Sequence, residues 1–382
     1  MVTRDDPDGS GYFLYHSIGM FPGKAERIAA SLARVATRWG TPDDGQWPHS
    51  LQIRADFIEH WGRLIHAPAG TLTTAENVTT ALCSVVGALP DRVLRGRKLL
   101  IAADCFPSLH FLLTGLAARR GFELVTVPVR AGEHWVRDDD FIAHWREDVG
   151  VALLTWVTST ASHRCNLARL VEHGRAMGSL VGVDITQGIG ILAFDVADVK
   201  TDFVVSTSLK WVCGVAGAGI LQVSEPLLQE CRPELRGWFS QEDIFSWALD
   251  SFAYARDARR FDHGTPSILA CAACIPALEW MAAQDPIALL AHNRRLHELL
   301  VDAGGALGLE LASPRRSDER GGSLMFKLPA GRDPGEVIDA LRTHAVFADC
   351  RGTTLRLSPG NVTTIDGVHR LMRALRAIVA AA

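Results

Sequence analysis

The chain has 382 residues, 48% of them hydrophobic, and a formal net charge of −4. That length and apolar content allow two domains with sizeable cores. The slightly acidic balance excludes a protein built around phosphate-backbone electrostatics, so no nucleic-acid partner is expected.

Ala25 to Trp39 carries apolar residues at helical spacing, with Ile28, Leu32, Val35 and Trp39 on one stripe. Asp44-Gly45-Gln46-Trp47-Pro48 is expected as a loop and Leu51 to Ile65 as a second helix. From Leu99 onward short apolar runs alternate with helical segments. Leu99–Ala103, Glu123–Val127, Val151–Thr155, Val181–Val183 and Phe203–Val205 are expected strands, with helices over Leu109–Arg120 and Leu167–Met177 between them. This rhythm predicts an α/β fold whose mostly parallel sheet is covered by helices on both faces. After the Arg259–Gly264 loop, a helix through Leu278 leads to a shorter αβ region with strands at Phe326–Leu328 and Thr354–Leu357 and a last helix over Val368–Ala381. The expected division is an N-terminal segment over residues 1–20 packing on the small domain, a large domain over 21–260 and a small C-terminal α+β domain over 261–382.

No apolar stretch reaches membrane-spanning length: Val151 to Val157 is strand-sized, and Ile268 to Met281 is interrupted by Pro276 and Glu279. The opening Thr3-Arg4-Asp5-Asp6 has no apolar signal core, and the eight cysteines are scattered, with one C-x-x-C at Cys271 and Cys274 and no second pair to complete a metal spacing. Cytoplasmic location, reduced thiols, no membrane partner and no metal are the expectations.

Ligands on such sheets bind where the strands end, and there two residues stand out. Asp184 closes the run Leu180-Val181-Gly182-Val183-Asp184, and Lys210 lies just beyond the next strand, before a glycine-rich stretch. A carboxylate and a lysine at neighbouring strand ends can face one ligand from two sides. Pyridoxal phosphate (PLP) needs that arrangement: a lysine for covalent attachment, and a carboxylate to keep the pyridine nitrogen protonated. The plain alternative is a solvated strand-end Asp beside a loop Lys.

Gly182-Val183-Asp184-Ile185-Thr186-Gln187-Gly188, Asp202-Phe203 and Ser206-Thr207-Ser208-Leu209-Lys210 together resemble the central signature of the class V (fold-type I) PLP enzymes. Tyr12 to Pro22 is similar to the opening of the kynureninases. Phe106-Pro107-Ser108, Arg236-Gly237-Trp238-Phe239, Gly264-Thr265-Pro266 and Leu355-Arg356-Leu357-Ser358-Pro359 follow in the expected order, so the resemblance spans nearly the whole chain.

The resemblance implies a fold-type I architecture with a seven-stranded sheet, and PLP joined to Lys210 and held at its ring nitrogen by Asp184. It also implies a phosphate site at Asn77, Val78 and Thr79, where a helix start supplies N–H donors and hydroxyls, although Asn77 or Thr79 could simply cap that helix. Thr207 and Trp238 match phosphate contacts, and Thr265 one that reaches the neighbouring subunit's cofactor, which implies a homodimer with shared sites. Phe106 matches the residue stacked on the pyridine ring, Gln187 one near the cofactor O3′, and Thr158 is expected to line the same face. Arg356 is placed as the fork that binds the substrate α-carboxylate.

Departures matter as well. Leu209 stands where kynureninases have Tyr and cysteine desulfurases His, and Leu109 where kynureninases have Asp. Cys350 lies only six residues before Arg356, unlike a mobile-loop desulfurase nucleophile. The expectation is an enzyme with an L-α-amino-acid substrate that removes its Cα proton through Lys210 and cleaves lyase-like at the β-carbon, by C–S elimination or kynureninase-like hydrolysis. A class V aminotransferase is the second expectation, and a non-catalytic binding protein on the same fold the third.

Overall fold

The structure, a computed structural model, describes residues 9–380. The Thr3–Asp6 stretch and Ala381, used above, lie outside the described residues. A seven-stranded sheet is built from β1 (Leu72–Ala75), β2 (Lys98–Ala102), β3 (Glu123–Val127), β4 (Val149–Thr155), β5 (Leu180–Asp184), β6 (Phe203–Thr207) and β7 (Gly219–Val223), in the order β1-β7-β6-β5-β4-β2-β3. The five strands from β6 to β3 run parallel, while β7 is antiparallel to both β6 and β1. A three-stranded antiparallel sheet follows, β8 (Leu324–Lys327), β10 (Thr354–Leu357) and β9 (Asp349–Arg351) in that order.

The large sheet is buried on both faces, which is why its strands read as continuous apolar runs. Alternate side chains of each strand enter opposite cores. Ala152, Leu154 and Val204 face the layer holding helices Lys24–Trp39, Gln46–Ile65, Leu167–Ala176 and Ile268–Ala282. Val151, Leu153, Phe203 and Val205 face helices Val78–Ala88 and Pro107–Arg120. Gly182 is required where β5 meets β6, because a Cβ there would lie 2.0 Å from the Phe203 ring that covers it.

Several boundaries differ from expectation. Trp47 and Pro48 belong to the helix Gln46–Ile65 rather than to a loop. Proline is tolerated there because first-turn N–H groups have no intrahelical acceptor in any case. Strands β1, β7 and β9 add to those expected. Helix Ile268–Ala282 buries Cys271, Ala272, Cys274, Ala277 and Leu278 in the core of the large sheet, and Ala272 O accepts a 2.8 Å hydrogen bond from Ser31 Oγ. Packing therefore sets this helix, expected within the 261–382 domain, against the core of the large sheet. The second core joins helices Pro286–Ala306, Pro334–Thr343 and Ile365–Ala380 to the small sheet and takes in Phe13. Parallel bridges from Tyr12 to Phe347 and from Leu14 to Ser358 lay the N-terminal segment along the small sheet.

Candidate active site

Register brings the site together. Thr155, Asp184 and Val205 lie side by side at the ends of β4, β5 and β6, and Thr207, Gly219 and Ala75 lie side by side one step further across. Chain segments leaving these strands therefore crowd one edge of the sheet.

Asp184 is buried, and its Oδ1 accepts a 2.9 Å hydrogen bond from the Thr186 N–H. Burial raises its carboxyl above the ordinary range, an effect opposed by Thr186 and by the Lys210 charge. Such a carboxylate is suited to a cationic partner brought into the site. Lys210 is pushed down to about 8, chiefly by burial, with Asp184 working against that shift and Arg356 adding to it. Its Nζ lies 5.1 Å from the centroid of the Phe106 ring, which is 46% exposed at the start of helix Pro107–Arg120. A flat ligand joined to Lys210 would meet that ring face.

The lysine loop is clamped from outside the sheet. The Cys213 N–H closes a turn onto Lys210 O at 2.8 Å, and the Gly19 N–H bonds Leu209 O at 2.9 Å. Lys24 Nζ then ties Gly19 O to Gly214 O at 2.7 and 3.0 Å. Gly19 is placed so tightly that a Cβ would sit 1.9 Å from Lys210 O.

At the other end of the site, helix Val78–Ala88 starts three residues after Ala75. Asn77 Oδ1 accepts from the Thr80 N–H at 3.0 Å, and the Asn77 N–H is bound by Thr80 Oγ1 at 3.1 Å. Asn77 thus caps the helix, and the N–H groups of Val78 and Thr79 are left to meet an anion. Thr207 Oγ1, in register with Ala75 through Gly219, is buried without a hydrogen-bond partner, and so is Thr155 Oγ1 beside Asp184. Orphaned hydroxyls, a free helix start, an exposed ring face and a buried carboxylate all fit PLP, which the sequence implied.

Other expected residues are placed differently. The Gln187 amide is occupied at both ends, donating to His16 O at 3.0 Å and accepting from Trp211 Nε1 at 3.2 Å, so it braces the N-terminal segment instead of standing free for the cofactor. Thr158 Oγ1 accepts the His163 N–H at 3.1 Å and closes the turn after β4. Trp238 sits edge-on to Trp47 and to Phe239, and Thr265 is exposed in the loop before helix Ile268–Ala282; neither bonds the Lys210 cluster within the protomer. Leu109 is fully buried in the core. Cys350 lies on β9 with its thiol pushed up to about 11 by burial, and all eight cysteines are unpaired.

Arg356, on β10, is buried and donates from Nε and Nη2 to the two carboxylate oxygens of Asp349, the Nε bond measuring 2.8 Å. Sequence reasoning did not single out Asp349 or His16. Asp349 Oδ1 is also 3.0 Å from His16 Nε2, an ion-pair distance without hydrogen-bond alignment. The signal for both was their nearness in sequence to motifs already noted, and only the fold reveals their contact.

The sequence matches the family described as Aminotransferase class-V over residues 53–356. It is 28% identical to a kynureninase of Deinococcus radiodurans over 94% of this chain and 90% of that one. It is also 28% identical to an isopenicillin N epimerase of Streptomyces clavuligerus, over 84% of this chain and 83% of the relative. Among solved structures, a variant of the cystine C–S lyase C-DES with glycine covalently linked to its PLP cofactor superposes with a TM-score of 0.85 at 19% identity, covering 98% of this chain and 99% of that chain. No helix among the described residues is long and apolar enough to cross a membrane. With the fold, the lysine–carboxylate pair and the match to most of its length in agreement, the chain belongs to the class-V aminotransferase family of PLP-dependent enzymes.

Proposed function

We propose that this protein removes the Cα proton of an L-α-amino acid and promotes cleavage at its β-carbon. The observation that carries this reading is Lys210 itself, an amine lowered to about 8 and aimed at the Phe106 ring beside a buried carboxylate. At neutral pH roughly a tenth of such an amine is unprotonated, far more than of an ordinary lysine, and able to act as a general base. Bound PLP supplies an electron sink for the developing carbanion. Lys210 would hold the cofactor covalently, and its free amine would take the Cα proton. Asp184 would hold the proton on the pyridine nitrogen, Phe106 would face the ring, and Thr207 with the N–H groups of Val78 and Thr79 would bind the phosphate. Arg356 binds the substrate carboxylate and so fixes which Cα bond faces Lys210.

Similarity to a kynureninase across nearly the whole chain supports cleavage at the β-carbon. The absence of a polar side chain at Leu209 and Leu109 supports a substrate other than kynurenine. Similarity to a protein named isopenicillin N epimerase supports a second outcome, return of the Cα proton to the opposite face. The exposed Thr265 and the exposed aromatics Phe245 and Trp247 support a homodimer with shared sites.

Incubating the PLP-loaded protein with L-amino acids in deuterated water and identifying products by mass tests the reading. Pyruvate with a released thiol, or alanine from a larger amino acid, is the expected result. A keto acid with pyridoxamine phosphate assigns transamination instead, and Cα exchange with inversion and no cleavage assigns epimerisation. No exchange at Cα with any substrate removes Lys210 as a working base.

A further inference from the structure

Arg356 does not reach the site as a free cation. Its strand partner directly opposite, by the register of β10 against β9, is Asp349. The Asp349 carboxylate takes the side-on edge of the guanidinium, Nε and Nη2, in a two-point contact. That geometry leaves the end-on edge: among the described residues Nη1 carries no hydrogen bond, and the guanidinium charge is felt at Lys210.

The carboxylate is itself held in place. Besides being fixed by its strand, Asp349 meets His16 Nε2 at 3.0 Å, and His16 Nδ1 lies 2.6 Å from Ser358 Oγ. Ser358 directly follows β10, and its Oγ is 2.6 Å from Ser323 Oγ. His16 is buried, and burial foremost lowers its pKa. Burial opposes the charge of Asp349, yet the close His16 ring and the Arg356 guanidinium hold that carboxyl well below its usual range. Asp349, on β9, is therefore held between Arg356 of β10 and His16 of the N-terminal segment.

We infer that Asp349 is a positioning residue for substrate recognition: it locks the Arg356 guanidinium from the side so that the Nη1–Nη2 edge faces the α-carboxylate of the bound amino acid. This rests on Arg356 being the carboxylate site. A guanidinium binds a carboxylate well only when two parallel N–H bonds align, so freeing its rotation costs geometry even though the charge remains. The alternative role for an acid on that fork is competition, in which Asp349 imitates the substrate carboxylate and must be displaced. The two roles predict opposite signs.

The test uses the PLP-loaded full chain and the change in cofactor absorbance on adding amino acids. From the twenty L-amino acids, the one giving the tightest response with wild type is compared with the amine that lacks its carboxylate. Asp349→Asn should leave cofactor content and melting temperature near wild type, weaken amino-acid binding roughly ten- to hundredfold, and leave binding of the amine unchanged. That split is one a merely structural defect would not produce. Unchanged or tighter amino-acid binding overturns the positioning role. Arg356→Lys, run in parallel, separates the two claims. If it weakens amino-acid binding while Asp349→Asn does not, only the role of Asp349 falls. If it has no effect, or wild type responds to no amino acid, the carboxylate reading falls and the inference with it.

Discussion

At the scale of single residues the chemistry depends on charges placed at strand ends. Lys210 should be the site of cofactor attachment, and borohydride reduction with peptide mapping should find the pyridoxyl group there and on no other lysine. Its lowered pKa also predicts a pH dependence of the cofactor-free protein. Between about 8 and the ordinary lysine value of 10.5, the unfolded chain keeps a proton that the folded Lys210 has lost. Stability then rises with pH across that window, since the unfolded state binds more protons. Lys210→Met should be the more stable protein below pH 8, and its advantage should shrink toward pH 10.5. A constant difference in melting temperature across that range would mean that the amine is not buried in solution. For Asp184, substitution by Ala should weaken cofactor retention and nearly abolish turnover, because a charge-assisted partner in a poorly solvated site is worth on the order of a few kcal/mol. Wild-type turnover in that variant would place the ring proton under another group's control. These two residues were legible in the sequence because each follows a buried apolar run. Asp349 was not, because its importance lies in a cross-strand register that no local pattern encodes.

The element scale shows where sequence patterns lose force. The parallel strands were readable as continuous apolar runs. β1 is Leu-Thr-Thr-Ala and β9 is Asp-Cys-Arg, too short and too polar to separate from loops, and β7 begins at Gly219 directly after a glycine-rich turn. All three become strands by pairing with distant segments, so tertiary context decides them. Helix Val78–Ala88 shows the converse: its start was readable, but the structure gives the Asn77 side chain to the cap. The clamp on the lysine loop is likewise a contact between elements far apart in sequence. Gly19→Ala should disturb it, because its Cβ would collide with the Lys210 carbonyl. A lower melting temperature together with weaker PLP retention is expected. Gly115, in an exterior helix with nothing within 4 Å of a built Cβ, provides the control: Gly115→Ala should leave PLP retention unchanged and raise the melting temperature slightly, because alanine favours the helix. Equal behaviour of the two variants would show that the N-terminal segment does not hold the lysine loop.

On the scale of the whole molecule, the N-terminal segment and both cores converge on one site, yet two residues implied by the family resemblance, Trp238 and Thr265, stay apart from it in the protomer. Trp247 is 86% exposed, and Phe245 and Leu235 are exposed as well, apolar side chains suited to burial against a second copy. If the site is shared across that surface, Thr265 of one subunit serves Lys210 of the other. A mixing experiment then has an unusual outcome. Lys210→Ala alone should be inactive, and Thr265→Val alone should be weak because the phosphate loses a hydroxyl contact. In a heterodimer of the two, one site combines both defects, while the other combines an intact Lys210 with an intact Thr265 from its neighbour. Mixing should therefore raise activity per Thr265→Val chain above that of its own homodimer. If Thr265 acts within its own chain, each Lys210-bearing site keeps its defect and mixing gains nothing. Sedimentation decides the remaining point: an active monomer would remove the shared site altogether and leave the exposed aromatics without the partner they are proposed to meet.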